Sequence, residues 1–358
     1  MTKNKSNIAR NLFFLFGMIA MLLIAYGIGF KAIVEHVRRT GWWFFAIIGM
    51  WLPIYLVNAL AFNTIIRDNN PDHRIIPFMH VFKVVLSGFA LKAATPLGFV
   101  GGDPYKIVEL KALLGVEKAT SSVVLYTMTH ITAHCIFWVL SIIATVVFMP
   151  MKQVWVITLL LVLLSFILVL FLIWGAYRKG LAVKFFAFLG HIPLLKRWFL
   201  PWADKYKEQL TLIDTQISYL YSDRRKAFFK ALSLEVVARI LNCLEVYVIL
   251  RPVDIEVSLI QSVVIYAFMS LFTNILFFSP MQLGTREGGF VLALRALSLP
   301  ARLGLYVSLV TRVRELVWIG IGVLLMKYKS KSVIKMEMQI EAKRNHHAAG
   351  EIADGSSL

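Results

Sequence analysis

The stretch Ser279–Gly289 reads "SPMQLGTREGG" and follows the apolar run "SVVIYAFMSLFTNILFF" of Ser262–Phe278. The run has the composition of a membrane helix. The stretch after it holds Pro280, Gly284, Gly288 and Gly289, with Arg286 and Glu287 among them. A helix is broken there between apolar segments, and an acid is set into the break. The segment that resumes at Gly288 is about a dozen residues long, too short for a bilayer core that takes roughly 20 residues of helix. Region 258–300 therefore reads as a re-entrant hairpin. An earlier stretch, Thr95–Tyr105 "TPLGFVGGDPY", interrupts a second apolar region, 78–113, in the same way.

The two regions superpose at an offset of 184 residues without a gap. Thr95-Pro96 meets Ser279-Pro280, Asp103 meets Glu287, and Leu110-Lys111-Ala112-Leu113 meets Leu294-Arg295-Ala296-Leu297. Identity is confined to four positions over 96–113. A proline, an acid and a base nevertheless keep one register, which points to an internal duplication. The alternative is convergence, since two membrane hairpins would both need helix breakers.

Composition sets the class. Hydrophobic residues make up 59% of the 358 and charged residues 16%; a soluble domain carries about a quarter charged residues. The apolar runs are continuous rather than alternating, which excludes a β-barrel and leaves helices that satisfy their own backbone hydrogen bonds in lipid. The expected fold is an all-α polytopic membrane protein. Its six spanning helices lie near 12–30, 43–65, 119–149, 154–176, 229–250 and 303–327, with two re-entrant hairpins. One membrane domain covers 1–330, with interfacial or cytoplasmic helices at about 177–226 and a basic, then disordered, tail at 331–358.

The net charge is +18. The basic residues cluster in connecting segments and the tail, where the positive-inside rule and anionic head groups account for them and nucleic-acid binding is not implied. Segment 177–230, the tail and the N-terminus with Lys3, Lys5 and Arg10 are expected on the cytoplasmic side of a plasma (bacterial inner) membrane. The loop 31–41, with Lys31, Arg38 and Arg39, opposes this and is outvoted by the longer basic segments. In this topology the hairpins enter from opposite faces, an inverted-topology repeat of the kind found in transporters. Cys135 and Cys243 lie in apolar runs and read as core residues rather than a disulfide.

The chemistry sits at the breaks. Asp103-Pro104 reads as an N-cap followed by a first helical proline, with Gly101 and Gly102 offering free N–H groups to an anion. Thr285 is the matching candidate N-cap ahead of Glu287. Other charges lie inside apolar runs: Lys92, Glu235, Arg239, Glu245, Arg295, Arg312, Arg314 and Glu315. Glu235 and Arg239 are spaced to share a helix face, as are Arg312 and Glu315. Either these are structural ion pairs, or the surplus cations, among them Lys106, Lys111, Arg239, Arg286, Arg295 and Arg312, hold a lipid head group beside Asp103 and Glu287. Pro96, Gly101, Gly102, Pro280, Gly284, Gly288 and Gly289 shape the hairpins. His130 and His134 have the spacing of a metal pair, but no third ligand is evident and packing is the preferred reading. No nucleotide loop, catalytic triad or zinc cluster is present, so no cofactor and no enzymatic activity are expected.

Pro96-x-x-x-x-Gly101-Gly102-Asp103-x-x-Lys106, paired with Pro280-x-x-x-Gly284-x-x-Glu287, resembles the flippase-like membrane domain of lysylphosphatidylglycerol synthases over roughly 10–330. Lys106 stands where arginine is expected, which keeps the charge and loses the bidentate fork. The resemblance implies movement or binding of a lipid between leaflets: an anionic phospholipid, a polyprenyl-linked lipid or another amphipath. It does not imply synthase activity. The soluble aminoacyl-transfer domain of the bifunctional proteins is not expected in the roughly 30 residues after the last span. The alternatives are a membrane-embedded transferase acting on a polyprenyl phosphate or phospholipid, and a non-transporting partner of a lipid-modifying enzyme.

Overall fold

The computed structural model describes residues 40–67, 76–95, 99–149, 152–179, 224–253, 256–276, 284–328 and 330–340, with scattered positions in 11–38 and single residues at 211, 215, 282 and 342. Pro96 and Pro280, most of the expected interfacial segment 177–226 and the end of the tail lie outside the described residues, as does much of the expected span 12–30.

Among the described residues every regular element is helical. In chain order they are α1 (Trp43–Ile66), α2 (Phe78–Ala94), α3 (Phe99–Leu114), α4 (Val116–Phe148), α5 (Gln153–Lys179), α6 (Arg225–Leu250), α7 (Leu259–Ile275), α8 (Thr285–Ala296) and α9 (Arg302–Lys327), with a further helical stretch at 331–340. Among the described residues, three helices are long and apolar enough to cross a membrane: α1, α4, and α5 over Gln153–Gly175. The expected spans at 43–65, 119–149 and 154–176 coincide with these. Helices α6 and α9 match the expected 229–250 and 303–327. Both are 26 residues long, about 39 Å at the helical rise, but carry the interior charges that dilute their hydropathy.

Local sequence explains the breaks. Helix α3 ends at Gly115, whose φ of +82° turns the chain into α4. Helix α8 ends in a Schellman motif, in which Ser298 takes φ +58° and the Leu299 N–H donates to the Leu294 carbonyl at 2.9 Å. Helix α7 starts with a capping box: Ser258 Oγ accepts from the Gln261 N–H, and the Gln261 side chain accepts from the Ser258 N–H.

The two quartets α1–α4 and α6–α9 pack alike. Within each, the second and third helices form an antiparallel hairpin, and the third lies along the fourth. Between them, α1 packs on α6, α2 on α9 and α7 on α4, so each hairpin is clasped by the last helix of the other quartet. Small residues set these approaches, since helices in lipid associate by close packing rather than by apolar burial. A Cβ on Gly102 would lie 2.6 Å from the Gly88 carbonyl, and one on Gly322 would lie 2.8 Å from that of Leu86. Ser87 donates to the Gly322 carbonyl at 2.8 Å at the same crossing. Helix α5 stands outside this core, with its spanning window wholly unburied.

Two expected helix starts are corrected. Helix α3 begins at Phe99, so Asp103 and Pro104 sit in its second turn and Asp103 is not the N-cap. The extra turn is held because Gly101 and Gly102 let α3 lie directly against Leu91, Thr95 and Gly88 of α2. In the second hairpin the N-cap is Gly284, with φ +78°, and Thr285 is the first helical residue.

Candidate functional site

Apart from the buried pair Lys83–Glu109, which ties α2 to α3 at 2.6 Å, the interior charges described below gather into two polar knots, one at each hairpin. In the first, Asp103 of α3 accepts from Lys106 Nζ at 2.9 Å and from Thr127 Oγ1 of α4 at 3.0 Å. The Lys106 ammonium lies 4.9 Å from the ring centroid of Tyr126, one residue before Thr127. One helical turn along α4, His130 Nδ1 lies 2.8 Å from Glu235 Oε2, and Arg239 donates to the same carboxylate oxygen at 3.1 Å. Arg239 also reaches the His130 ring at 2.9 Å. Helix α4 thus ties α3 and α6 together through the Thr127 hydroxyl and the His130 ring. Lys92, at the end of α2, lies within electrostatic reach of Asp103, Lys106, Glu235 and Arg239.

The second knot is built on the same plan. Glu287, in the first turn of α8, accepts from the Gly284 backbone N–H at 2.8 Å through one oxygen. Its other oxygen accepts from Ser308 Oγ at 3.1 Å and Arg312 Nε at 2.7 Å, both on α9. A carboxylate in the first turn also complements the positive end of the helix. Arg286 donates to Glu315 at 2.5 Å and to the Gln282 side chain at 2.8 Å. Arg314 donates to Glu245 of α6 at 2.7 Å and stacks 3.7 Å above the Trp51 ring of α1.

The 184-residue register recurs in part of these contacts. Asp103 and Glu287 each take a hydroxyl donor from the long helix that follows, Thr127 in one half and, three residues off the register, Ser308 in the other. His130 and Arg314 hold equivalent positions on α4 and α9, and Glu235 and Trp51 hold equivalent positions on α6 and α1. One half fills this contact with a hydrogen bond and the other with a cation stacked on a ring.

Of the cations singled out from the sequence, the fold brings Lys106, Arg239, Arg286 and Arg312 into the knots, each against a carboxylate. Lys111 and Arg295 are not brought there. Both are exposed in the last turns of α3 and α8, eight residues beyond Asp103 and Glu287, or about 12 Å along the helix. Basic side chains at those ends complement the helix dipoles. The expected pair Glu235–Arg239 forms, whereas Arg312 and Glu315 do not pair with each other: Arg312 turns to Glu287, and Glu315 to Arg286. Gly101, Gly102 and Gly289 press their backbones against the opposite hairpin arm, while a Cβ on Gly288 would meet only Phe272 at 3.5 Å. Cys135 and Cys243 are free and buried.

Thr127, Tyr126, Ser308 and Gln282 were not legible as site residues. Their partners lie on other helices or beyond a turn, and hydroxyls in apolar runs usually close on their own helix, as Thr129 and Ser141 do here. His130 carried a signal that the metal-pair spacing obscured: a polar ring on an apolar helix needs a partner, and Glu235 supplies it.

The family model described as the lysylphosphatidylglycerol synthase TM region matches residues 10–322. No curated protein and no solved structure matches the chain.

Proposed function

Because the chain belongs to the lysylphosphatidylglycerol synthase transmembrane-region family, and is an integral membrane protein of apolar helices, we propose that it binds a membrane lipid and carries it between leaflets. In this reading α6 and α9 span the membrane alongside α1, α4, α5 and an N-terminal helix. The hairpins α2–α3 and α7–α8 are re-entrant and enter from opposite faces, and both termini lie in the cytoplasm. The quartets then form an inverted-topology repeat, and their hairpin ends bring the two knots toward the middle of the bilayer.

One observation carries the proposal. Each hairpin holds a partly buried acid, Asp103 or Glu287, tied to the following long helix and surrounded by cations. Ionisable groups at membrane depth are costly, and where they occur they mark substrate and ion pathways. An anionic or amphipathic head group can exchange contacts with such ion pairs while its acyl chains stay in lipid. Re-pairing of Arg312 or Lys106 during passage supplies an alternating step without an added cofactor. The lipid gradient or an ion gradient acting on the acids supplies the direction.

Purified protein in liposomes tests this. Exchange of labelled phospholipid between leaflets, with no new lipid species on thin-layer analysis, is expected. A covalently altered lipid product would instead assign a transferase and overturn the proposal.

A further inference from the structure

The two knots share a plan but not a charge balance. In the second, Arg286, Arg312 and Arg314 face Glu245, Glu287 and Glu315, and each arginine is bonded to one of these carboxylates. That knot is closed on itself. In the first, among the described residues, Lys92, Lys106 and Arg239 face only Asp103 and Glu235, which are already bonded to Lys106 and Arg239. Lys92 is the surplus cation. Its Cβ lies against Gly102, where an added Cβ would come within 3.0 Å. Its side chain therefore leaves α2 at the end of the first hairpin, and it stays accessible although Asp103, Lys106, Glu235 and Arg239 surround it electrostatically. A second group in this knot also lacks a partner: His134 Nδ1 is buried without a hydrogen bond, and its ring packs 5.1 Å from that of His130.

We propose that the first hairpin alone supplies the resting binding site for the substrate's anionic group, a phosphodiester held by the Lys92 ammonium beside His134, while the ion pairs of the second hairpin stay closed until they re-pair during passage. This rests on the lipid-carrying reading above and assigns the head group to one of the two halves. A single negative charge balances the knot. A lysine suits it as a mobile point charge that can follow a phosphate, without the fixed fork that would lock one geometry. The second knot offers no such cation, so the two halves, alike in plan, are not interchangeable binding sites.

The test is equilibrium binding in detergent, followed by native mass spectrometry and thermal shift, independent of any transport. Short-chain phosphatidylglycerol is expected to bind, and an uncharged diglucosyl diacylglycerol is not. Lys92→Gln should weaken phosphatidylglycerol binding about tenfold or more, the size of one lost charge-assisted contact. Lys92→Arg should recover most of it, and the exposed control Lys230→Gln should leave it unchanged. A Lys92→Gln protein that elutes and melts like the wild type but binds phosphatidylglycerol equally well overturns the inference, as does equal binding of the neutral glycolipid. Saturation by inorganic phosphate or glycerophosphoglycerol at the lipid's own concentration assigns a free-anion site and overturns the lipid part. If lipid binds as expected but never changes leaflet, the carrying reading fails while the phosphate site stands.

Discussion

Neutralising Glu287 exposes the logic of the second knot. In Glu287→Gln the amide keeps one acceptor oxygen for three donors: the Gly284 N–H, Ser308 Oγ and Arg312 Nε. Its NH2 end now faces donors. Arg312 is only 5% exposed and loses its counter-charge, whereas the Glu287 side chain is 28% exposed and partly screened. Stranding a fully buried charge costs about 3–5 kcal/mol; with water reaching one member, about 2–3 kcal/mol is expected here. At roughly 2 °C per kcal/mol for a chain of this size, the unfolding midpoint should fall by about 5 °C. A thiol-reactive dye reads this directly, because Cys135 and Cys243 are free and buried until the fold opens. Adding Arg312→Gln removes the stranded charge, so the double variant should lose less than the sum of the singles, with a coupling of about 1–3 kcal/mol. A Glu287→Gln protein that melts with the wild type, or a strictly additive double variant, would refute the assignment of Glu287 as Arg312's counter-charge.

The remaining expectations follow from the same contacts. Glu245→Gln should destabilise more than Glu287→Gln, by about 3–5 kcal/mol, because both members of the Arg314–Glu245 pair are nearly inaccessible; the order of melting midpoints checks it. Gly102→Ala should lower the midpoint or prevent folding, because its Cβ meets the Gly88 carbonyl at 2.6 Å, while Gly288→Ala should be tolerated. Exchanging the charges of Arg286 and Glu315 should recover stability that either single reversal loses, a double-mutant cycle on melting midpoints being the readout. In intact cells, an impermeant thiol reagent should label a cysteine placed at Pro300 and spare one placed at Val116, both exposed positions next to the ends of the short helices; the reverse pattern would overturn the proposed orientation.

Much of the fold was legible because lipid leaves a chain few options. Long apolar runs must be helices, and the Pro/Gly breaks divide two regions into paired arms, which the structure shows as α2–α3 and α7–α8. The shared register also pointed Asp103 and Glu287 to the same arm of each hairpin, and both lie on the third helix of their quartet, Asp103 in its second turn and Glu287 in its first. Less legible was what each acid bonds. Local spacing offered Glu315 to Arg312, yet the crossing of α8 over α9 at Gly304 brings Glu287 closer. Aspartate before proline suggested a helix start at Asp103. Tertiary packing of Gly101 and Gly102 against α2 overrode that local preference and drew the helix back to Phe99. The stacking of Arg314 on Trp51 depends on how α9 meets α1, which no local pattern encodes.

The most direct measurement is the leaflet-exchange rate of a labelled phospholipid in proteoliposomes holding wild-type protein or the Asp103→Asn and Glu287→Gln variants, each reconstituted in folded form at equal density. The account expects exchange well above protein-free vesicles for the wild type and a large loss in both variants. Exchange equal to empty vesicles for folded wild-type protein, or wild-type rates in both variants, would contradict it.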